Sequence, residues 1–134
     1  MKDFIEELKW RGMLHDVIPG TEEHLEKNKT IGYIGFDPTS DSLHIGSLVP
    51  IFILKHFQNS GHTPIVLLGG ATGMIGDPSG KSDERNLLDK NVLDYNEKKL
   101  TKQFEKFLDF KSNKPNKAIL VNNYNWMKKF SIID

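Results

Sequence analysis

Cysteine is missing from this 134-residue chain. That removes disulfide frameworks and thiolate metal sites from consideration. Histidine offers no substitute metal site: His15, His24, His44, His56 and His62 include no pair four residues apart, the spacing that lets two imidazoles share a zinc on one helix face. Long apolar runs are lacking as well. The longest, Leu48 to Leu54, falls far short of the roughly 20 residues that cross a bilayer. The acidic start Met1-Lys2-Asp3 does not resemble a signal peptide, so no membrane partner and a cytoplasmic location are expected. Nor is there an excess of charge of either sign: eighteen basic side chains balance eighteen acidic ones, which argues against a broad positive field for nucleic acid. With 37% hydrophobic residues, the chain has the composition of one globular unit with one core.

The pattern that is present alternates strands with helices. Asp3 and Glu6 make a capping-box-like start for a helix over 3 to 11, stopped by Gly12, and a second short helix is expected from Thr21 to Lys27. Ile31 to Phe36 is uncharged and rich in β-branched and aromatic residues, which predicts a strand covered on both faces. A cluster of turn formers, Asp37 to Ser42, separates it from an apolar helix over 48 to 57, with Pro50 in the first turn and Asn59-Ser60-Gly61 as the stop. Thr63 to Leu68 reads as a second buried strand, followed by a glycine-rich loop from Gly69 to Gly80. Asp94 with Glu97 gives another cap signal. Leu100, Phe104, Phe107 and Leu108 keep a helical period, with Lys98, Lys99, Lys102 and Lys106 on the solvated side. Ala118 to Val121 is the third strand, and Asn122 to Phe130 contains a short helix. This order implies an α/β fold with parallel strands, right-handed crossovers and a ligand site beyond the carboxyl ends of the strands.

Two loops occupy that position. In the first, Gly35 to Ser47, a strand end gives way to a helix start, where unpaired amides and a partial positive charge favour phosphate. Thr39 and His44 add donors, and Gly46 lets a ligand approach the backbone; on spacing alone, His44 as a helix cap and Asp37-Pro38-Thr39 as an ordinary turn is the slightly better reading. The second runs from Leu68 to Ser82. It ends in Gly80-Lys81-Ser82 but carries Ile75 where a P-loop needs glycine, and Ala71 where a dinucleotide fingerprint needs one. Gly69, Gly70, Gly73, Gly76 and Gly80 still suggest a backbone kept open beside a ligand.

Taken in order, Gly35-Phe36-Asp37-Pro38-Thr39, His44-Ile45-Gly46-Ser47, Gly69-Gly70-Ala71-Thr72-Gly73 and Gly76-Asp77-Pro78-Ser79-Gly80-Lys81 resemble the bacterial tyrosyl-tRNA synthetases. The similarity runs from about residue 4 to the end and includes Asn122-Asn123-Tyr124-Asn125-Trp126. The resemblance implies a Rossmann-like parallel sheet with flanking helices, the amino-terminal portion of an ATP- and tyrosine-binding catalytic domain. It implies tyrosine activation by ATP followed by transfer to tRNA(Tyr), with magnesium accompanying the pyrophosphate rather than held by the protein, and a homodimeric full-length enzyme.

By the same resemblance, Thr39 and His44 donate to the γ-phosphate, Gly46 and Ser47 lie against the adenosine, and Gly35 and Asp37 line the region of the ribose and α-phosphate. Lys81 and Arg85 close over the pyrophosphate, Tyr33 bonds the substrate phenol, and Asp77 with Thr72 holds its ammonium. Two departures stand out. Ser47 occupies the place of the second histidine in the usual His-Ile-Gly-His signature. Nothing matches the Lys-Met-Ser-Lys-Ser loop, the later catalytic half or the anticodon-binding region, so the chain is expected to be a fragment with weak or no activity alone. Another nucleotide-binding α/β nucleotidyl transferase and a non-catalytic nucleotide-binding module are the alternatives that the residues leave open.

Overall fold

The computed structural model describes residues 3–75 and 89–130. Asp77, Lys81 and Arg85, expected in the site, lie outside the described residues. Three strands, β1 (Ile31–Phe36), β2 (Thr63–Leu68) and β3 (Ile119–Asn122), form a parallel sheet in the order β1-β2-β3. Helices α1 (Phe4–Trp10) and α2 (Thr21–Lys27) precede it. A single 3-10 turn (Ile45–Ser47) leads into α3 (Leu48–Asn59) between β1 and β2, α4 (Gly70–Ile75) and α5 (Lys90–Phe104) lie between β2 and β3, and α6 (Tyr124–Met127) follows. Both long strands and the first two helices fall where the sequence puts them.

Local chemistry accounts for the boundaries. Asp3 accepts the Glu6 amide at 2.9 Å and starts α1. Helix α3 ends because Gly61 takes a left-handed conformation, φ 84°; its amide then bonds the Gln58 carbonyl and the His62 amide bonds that of Phe57. The buried Gln58 then exchanges hydrogen bonds with the Asp109 backbone in both directions, at 2.9 and 3.0 Å, tying the end of α3 to the segment before β3.

Three expectations need correction. Strand β1 is not covered on both faces: it pairs only with β2 among the described residues, and Ile31 and Tyr33 are 63% and 70% exposed. The glycine-rich segment, expected as a loop over Gly69 to Gly80, does not form one in its described part. Gly70 to Ile75 is helical, since long-range contacts described below outweigh the poor helix propensity of its glycines. Helix α5 begins at Lys90, capped by Asp89 accepting the Asn91 amide, and ends at Phe104, so Asp94 and Glu97 fall inside it. Its buried stripe is Leu93, Asn96, Leu100 and Phe104; Phe107 and Leu108 lie beyond its end, although Leu108 still enters the core.

The core lies between the sheet and one layer of helices. Phe36, Val66 and Leu68 from the sheet meet Ile51 and Leu54 of α3 and Leu100 and Phe104 of α5. The rings of Phe36 and Phe104 make an edge contact with centroids 4.8 Å apart, so the last residue of β1 is clamped onto α5.

At the opposite end of the sheet, His62 is buried, stacks on Phe57 at 4.6 Å and accepts the Thr30 amide through Nδ1 at 3.3 Å. Burial, reinforced by the charge of Lys29 and opposed by that of Asp3, pushes its pKa below the ordinary imidazole value. The unfolded chain therefore binds this proton more readily. The stability it contributes is complete above about pH 6.5, the free-imidazole value, and is lost as pH falls through that value toward the lower folded one. Denaturant midpoints measured from pH 7.5 to 5 should fall more steeply for the parent chain than for His62→Gln, and identical slopes would remove His62 from the account.

Candidate functional site

Parallel pairing sets the three strand ends level. Phe36 is registered with Leu68, and Leu68 with Asn122. The ladder continues one step further: the Gly69 amide bonds the Phe36 carbonyl at 2.9 Å, and the Asn123 amide bonds that of Leu68 at 3.0 Å. Asp37, Gly69 and Asn123, each the first residue after its strand, are thereby brought together at the carboxyl end of the sheet.

Their side chains form a connected polar row. The Thr72 hydroxyl, one turn into α4, donates to Asp37 Oδ1 at 2.9 Å and lies 3.1 Å from the Gly69 carbonyl. Asn123 accepts the Ala71 amide at 2.7 Å, satisfying one of the free amides that open α4, and its Nδ2 is 3.5 Å from the Thr72 hydroxyl. A Cβ on Gly69 would overlap both the Asp37 carboxylate and the Thr72 hydroxyl. The row can close only because that position is glycine.

Beside it, the β1–α3 loop borders a half-open cavity of about 400 Å³ whose lining includes Gly35, Asp37, Thr39, His44, Gly46 and Ser47. Inside the loop, Pro38 is buried while Asp37 and Thr39 on either side are exposed. His44 caps the 3-10 turn: its Nδ1 accepts the Gly46 amide at 3.1 Å. In a neutral ring that assignment leaves the proton on Nε2, which is then the donor available to a ligand. A Cβ on Gly46 would press on the His44 ring at 2.9 Å, so this cap also requires glycine.

The helix start presents fewer open amides than its sequence position implies. Those of Gly46, Ser47 and Leu48 are already bonded within the turn, to His44 Nδ1, His44 O and Ile45 O. Side chains of the loop therefore supply much of the polarity.

Six expected residues, Gly35, Asp37, Thr39, His44, Gly46 and Ser47, thus share one cavity, with Thr72 joined to it through Asp37. Tyr33 is not among the lining residues. It stands exposed on β1, two residues before Gly35 and therefore on the same sheet face.

Several site-facing residues were not singled out from the sequence. Asn123 is one; its place directly after a parallel strand was the available signal. Asn96 and Gln103, which bond the β1–α3 loop from α5, carried none. A second cavity of about 230 Å³ lies between α4, α5 and α6, with Glu97 and Asn122 in its wall. Burial pushes the Glu97 carboxyl above the ordinary carboxylate range, opposed by the hydrogen bond from Asn122.

A parallel α/β sheet with a polar cavity at its carboxyl edge, walled by a strand-to-helix loop, is the arrangement of proteins that hold a small charged ligand at strand ends. Residues 25–134 match the family model of class I tRNA synthetases (W and Y), and the chain belongs to that family. It is 61% identical over 132 residues to a tyrosine-tRNA ligase of Bacteroides fragilis, covering 98% of this chain and 31% of that protein. To the tyrosine-tRNA ligase of Flavobacterium psychrophilum it is 63% identical over 134 residues, again spanning 31% of the relative. Among solved structures, the C-terminally truncated mitochondrial tyrosyl-tRNA synthetase of Aspergillus nidulans superposes with a TM-score of 0.74 at 30% identity, covering 99% of this chain and 41% of that one. The chain thus spans just under a third of the length of these curated relatives.

Gly69→Ala should lower the stability of the chain by about 1–3 kcal/mol, the usual cost of forcing an extra methyl into a packed site. Urea unfolding measures this, and a midpoint equal to that of the parent would show that the Asp37–Thr72 contact is not sterically bound to Gly69.

Proposed function

We propose that this chain supplies part of the ATP and tyrosine site of a tyrosine-tRNA ligase, which joins L-tyrosine to ATP as tyrosyl adenylate and passes the tyrosyl group to tRNA(Tyr). The observation that carries this reading is the gathering of Gly35, Asp37, Thr39, His44, Gly46 and Ser47 around one cavity at the strand ends, together with the identity to the tyrosine-tRNA ligases.

In the first step a tyrosine carboxylate oxygen forms a bond to the α-phosphorus as the bond from that phosphorus to the β-phosphate bridge breaks, and pyrophosphate leaves with the electron pair. The nucleophile is already an anion, so positioning and electrostatic stabilisation dominate over proton transfer. His44, with Nδ1 turned to the Gly46 amide, offers its Nε2 proton to the γ-phosphate, and the Thr39 hydroxyl does the same. These bonds strengthen as charge moves toward the leaving group, so they act on rate more than on ground-state affinity.

Asp37 faces the ribose and α-phosphate, its carboxylate fixed by the Thr72 hydroxyl. That bond ties Thr72, which with Asp77 is assigned to the tyrosine ammonium, to the nucleotide side of the site as well. Ser47 and Gly46 lie against the adenosine, where a hydroxyl takes the place of a second imidazole. Tyr33 bonds the phenol from the open face of β1, and magnesium arrives with the phosphates. The enzyme works in the cytoplasm, and its full length forms a homodimer whose tRNA contacts lie mostly beyond this chain.

In an enzyme of the relatives' full length carrying this chain as its matching segment, His44→Ala should slow tyrosine-dependent ATP-pyrophosphate exchange by about 10-fold or more, since a hydrogen bond to a charged group contributes roughly 1.5–3 kcal/mol. An unchanged exchange rate would take His44 out of the site, and exchange driven by another amino acid in place of tyrosine would overturn the substrate assignment.

A further inference from the structure

Helix α5 reaches the β1–α3 loop at two points. Asn96 is 4% exposed, deep within the fold, and its Nδ2 donates to the Pro38 carbonyl at 2.9 Å. Gln103 accepts the Leu43 amide through Oε1 at 3.0 Å, and its Nε2 donates to the Ser42 hydroxyl at 3.1 Å. The two residues are seven apart, which places them on one face of a helix, about 10 Å from each other along its axis. Each anchor lies next to a residue that the proposed function assigns to the triphosphate: Pro38 precedes Thr39, and Leu43 precedes His44.

We infer that Asn96 and Gln103 are positioning residues for ATP chemistry, a two-point clamp that sets the Thr39 hydroxyl and the His44 ring where the triphosphate meets them. The inference rests on the tyrosine and ATP reading above and adds to it a part for α5, which otherwise serves the core. The clamp belongs to the loop rather than to general packing, because neither side chain spends its amide within its own helix. The contacts of α5 with the hydrophobic core come from Leu100 and Phe104 instead. A loop that supplies side-chain donors must be held independently of its ligand if those donors are to gain strength only as charge develops.

The two anchors differ in polarity, and that difference makes them testable. Asn96 must donate, since a carbonyl can only accept. Gln103 must accept, since an amide can only donate. The same near-isosteric change from amide to acid therefore has opposite consequences. Asn96→Asp sets a carboxylate against the Pro38 carbonyl, whereas Gln103→Glu retains an acceptor for the Leu43 amide and lets the Ser42 hydroxyl turn to donate.

In a full-length enzyme bearing this chain, with rates expressed per active site titrated by adenylate formation, N96D should lower kcat for pyrophosphate exchange by about 10-fold or more, with KM for tyrosine within about twofold. Q103E should stay within about threefold of the parent and Q103L should fall by about 10-fold, the loss of about one hydrogen bond at the part-buried Leu43 amide. Should N96D fail to fold, the contrast between Q103E and Q103L decides. Parental kcat in N96D, or equal losses in Q103E and Q103L, overturns the clamp. If the unsubstituted enzyme shows no tyrosine-dependent exchange, the substrate reading fails instead. Hydrogen exchange at the Leu43 amide then judges the anchoring alone: it should be slow in the parent and at least about 10-fold faster in Q103L, and equal rates overturn it.

Discussion

The site depends on the lateral alignment of three parallel strands. Because Phe36, Leu68 and Asn122 occupy one row, and because the backbone ladder continues through the Gly69 and Asn123 amides, segments far apart in sequence meet at a single edge. A shift of one residue at either pairing would turn side chains to the opposite face and separate Asp37 from Thr72. Backbone pairing thus does more than stabilise the sheet, since it fixes which polar groups can touch. The bonds that follow, Thr72 to Asp37 and Ala71 to Asn123, are consequences of that register, and they in turn hold the short glycine-bearing helix α4 in place.

A second layer of restraint comes from the core. Leu100 and Phe104 bury one stripe of α5 against Phe36, Ile51 and Leu54, which settles how the helix lies beneath the β1–α3 loop. The polar members of the same helix then reach that loop without any adjustment of their own. Apolar burial supplies most of the energy and sets position, while hydrogen bonds of modest net worth supply direction. The division explains how an exposed loop lined with charged and hydroxyl groups can be ordered: its fixed points lie on the buried side.

Much of this was readable in the residues. The runs Ile31–Phe36 and Thr63–Leu68 are short, apolar and bounded by turn formers, and they became strands with those boundaries. Thr39, His44 and Gly46 stood out because they follow a strand and precede an apolar helix, whereas the parts given to Asp37 and Ser47 came with the resemblance to the tyrosyl-tRNA synthetases, and the backbone amides expected there are largely taken up within the turn. What escaped was set at long range. Helix α4 has poor intrinsic propensity and forms where Asn123, some fifty positions later, caps it. The start of α5 was misplaced because Asp94 and Glu97 imitate a capping pair, whereas Asp89 performs that role. Asn96 and Gln103 looked like any polar residues on a helix, since what distinguishes them is a partner about sixty residues upstream. Coverage of β1 on both faces was inferred from its composition, yet composition does not reveal which neighbours a strand finds.

The buried ring of Pro38, flanked by two outward-facing residues, bears on how tightly a ligand could be held. Proline has little backbone freedom to lose, and this one is packed inside the fold with its carbonyl engaged. The conformational entropy of the turn is therefore surrendered during folding, and a molecule entering the cavity finds its hydroxyl and carboxylate contacts already arranged. Preorganisation of this kind leaves more of the interaction energy to appear as affinity or as rate, because capture does not have to include the ordering of the chain.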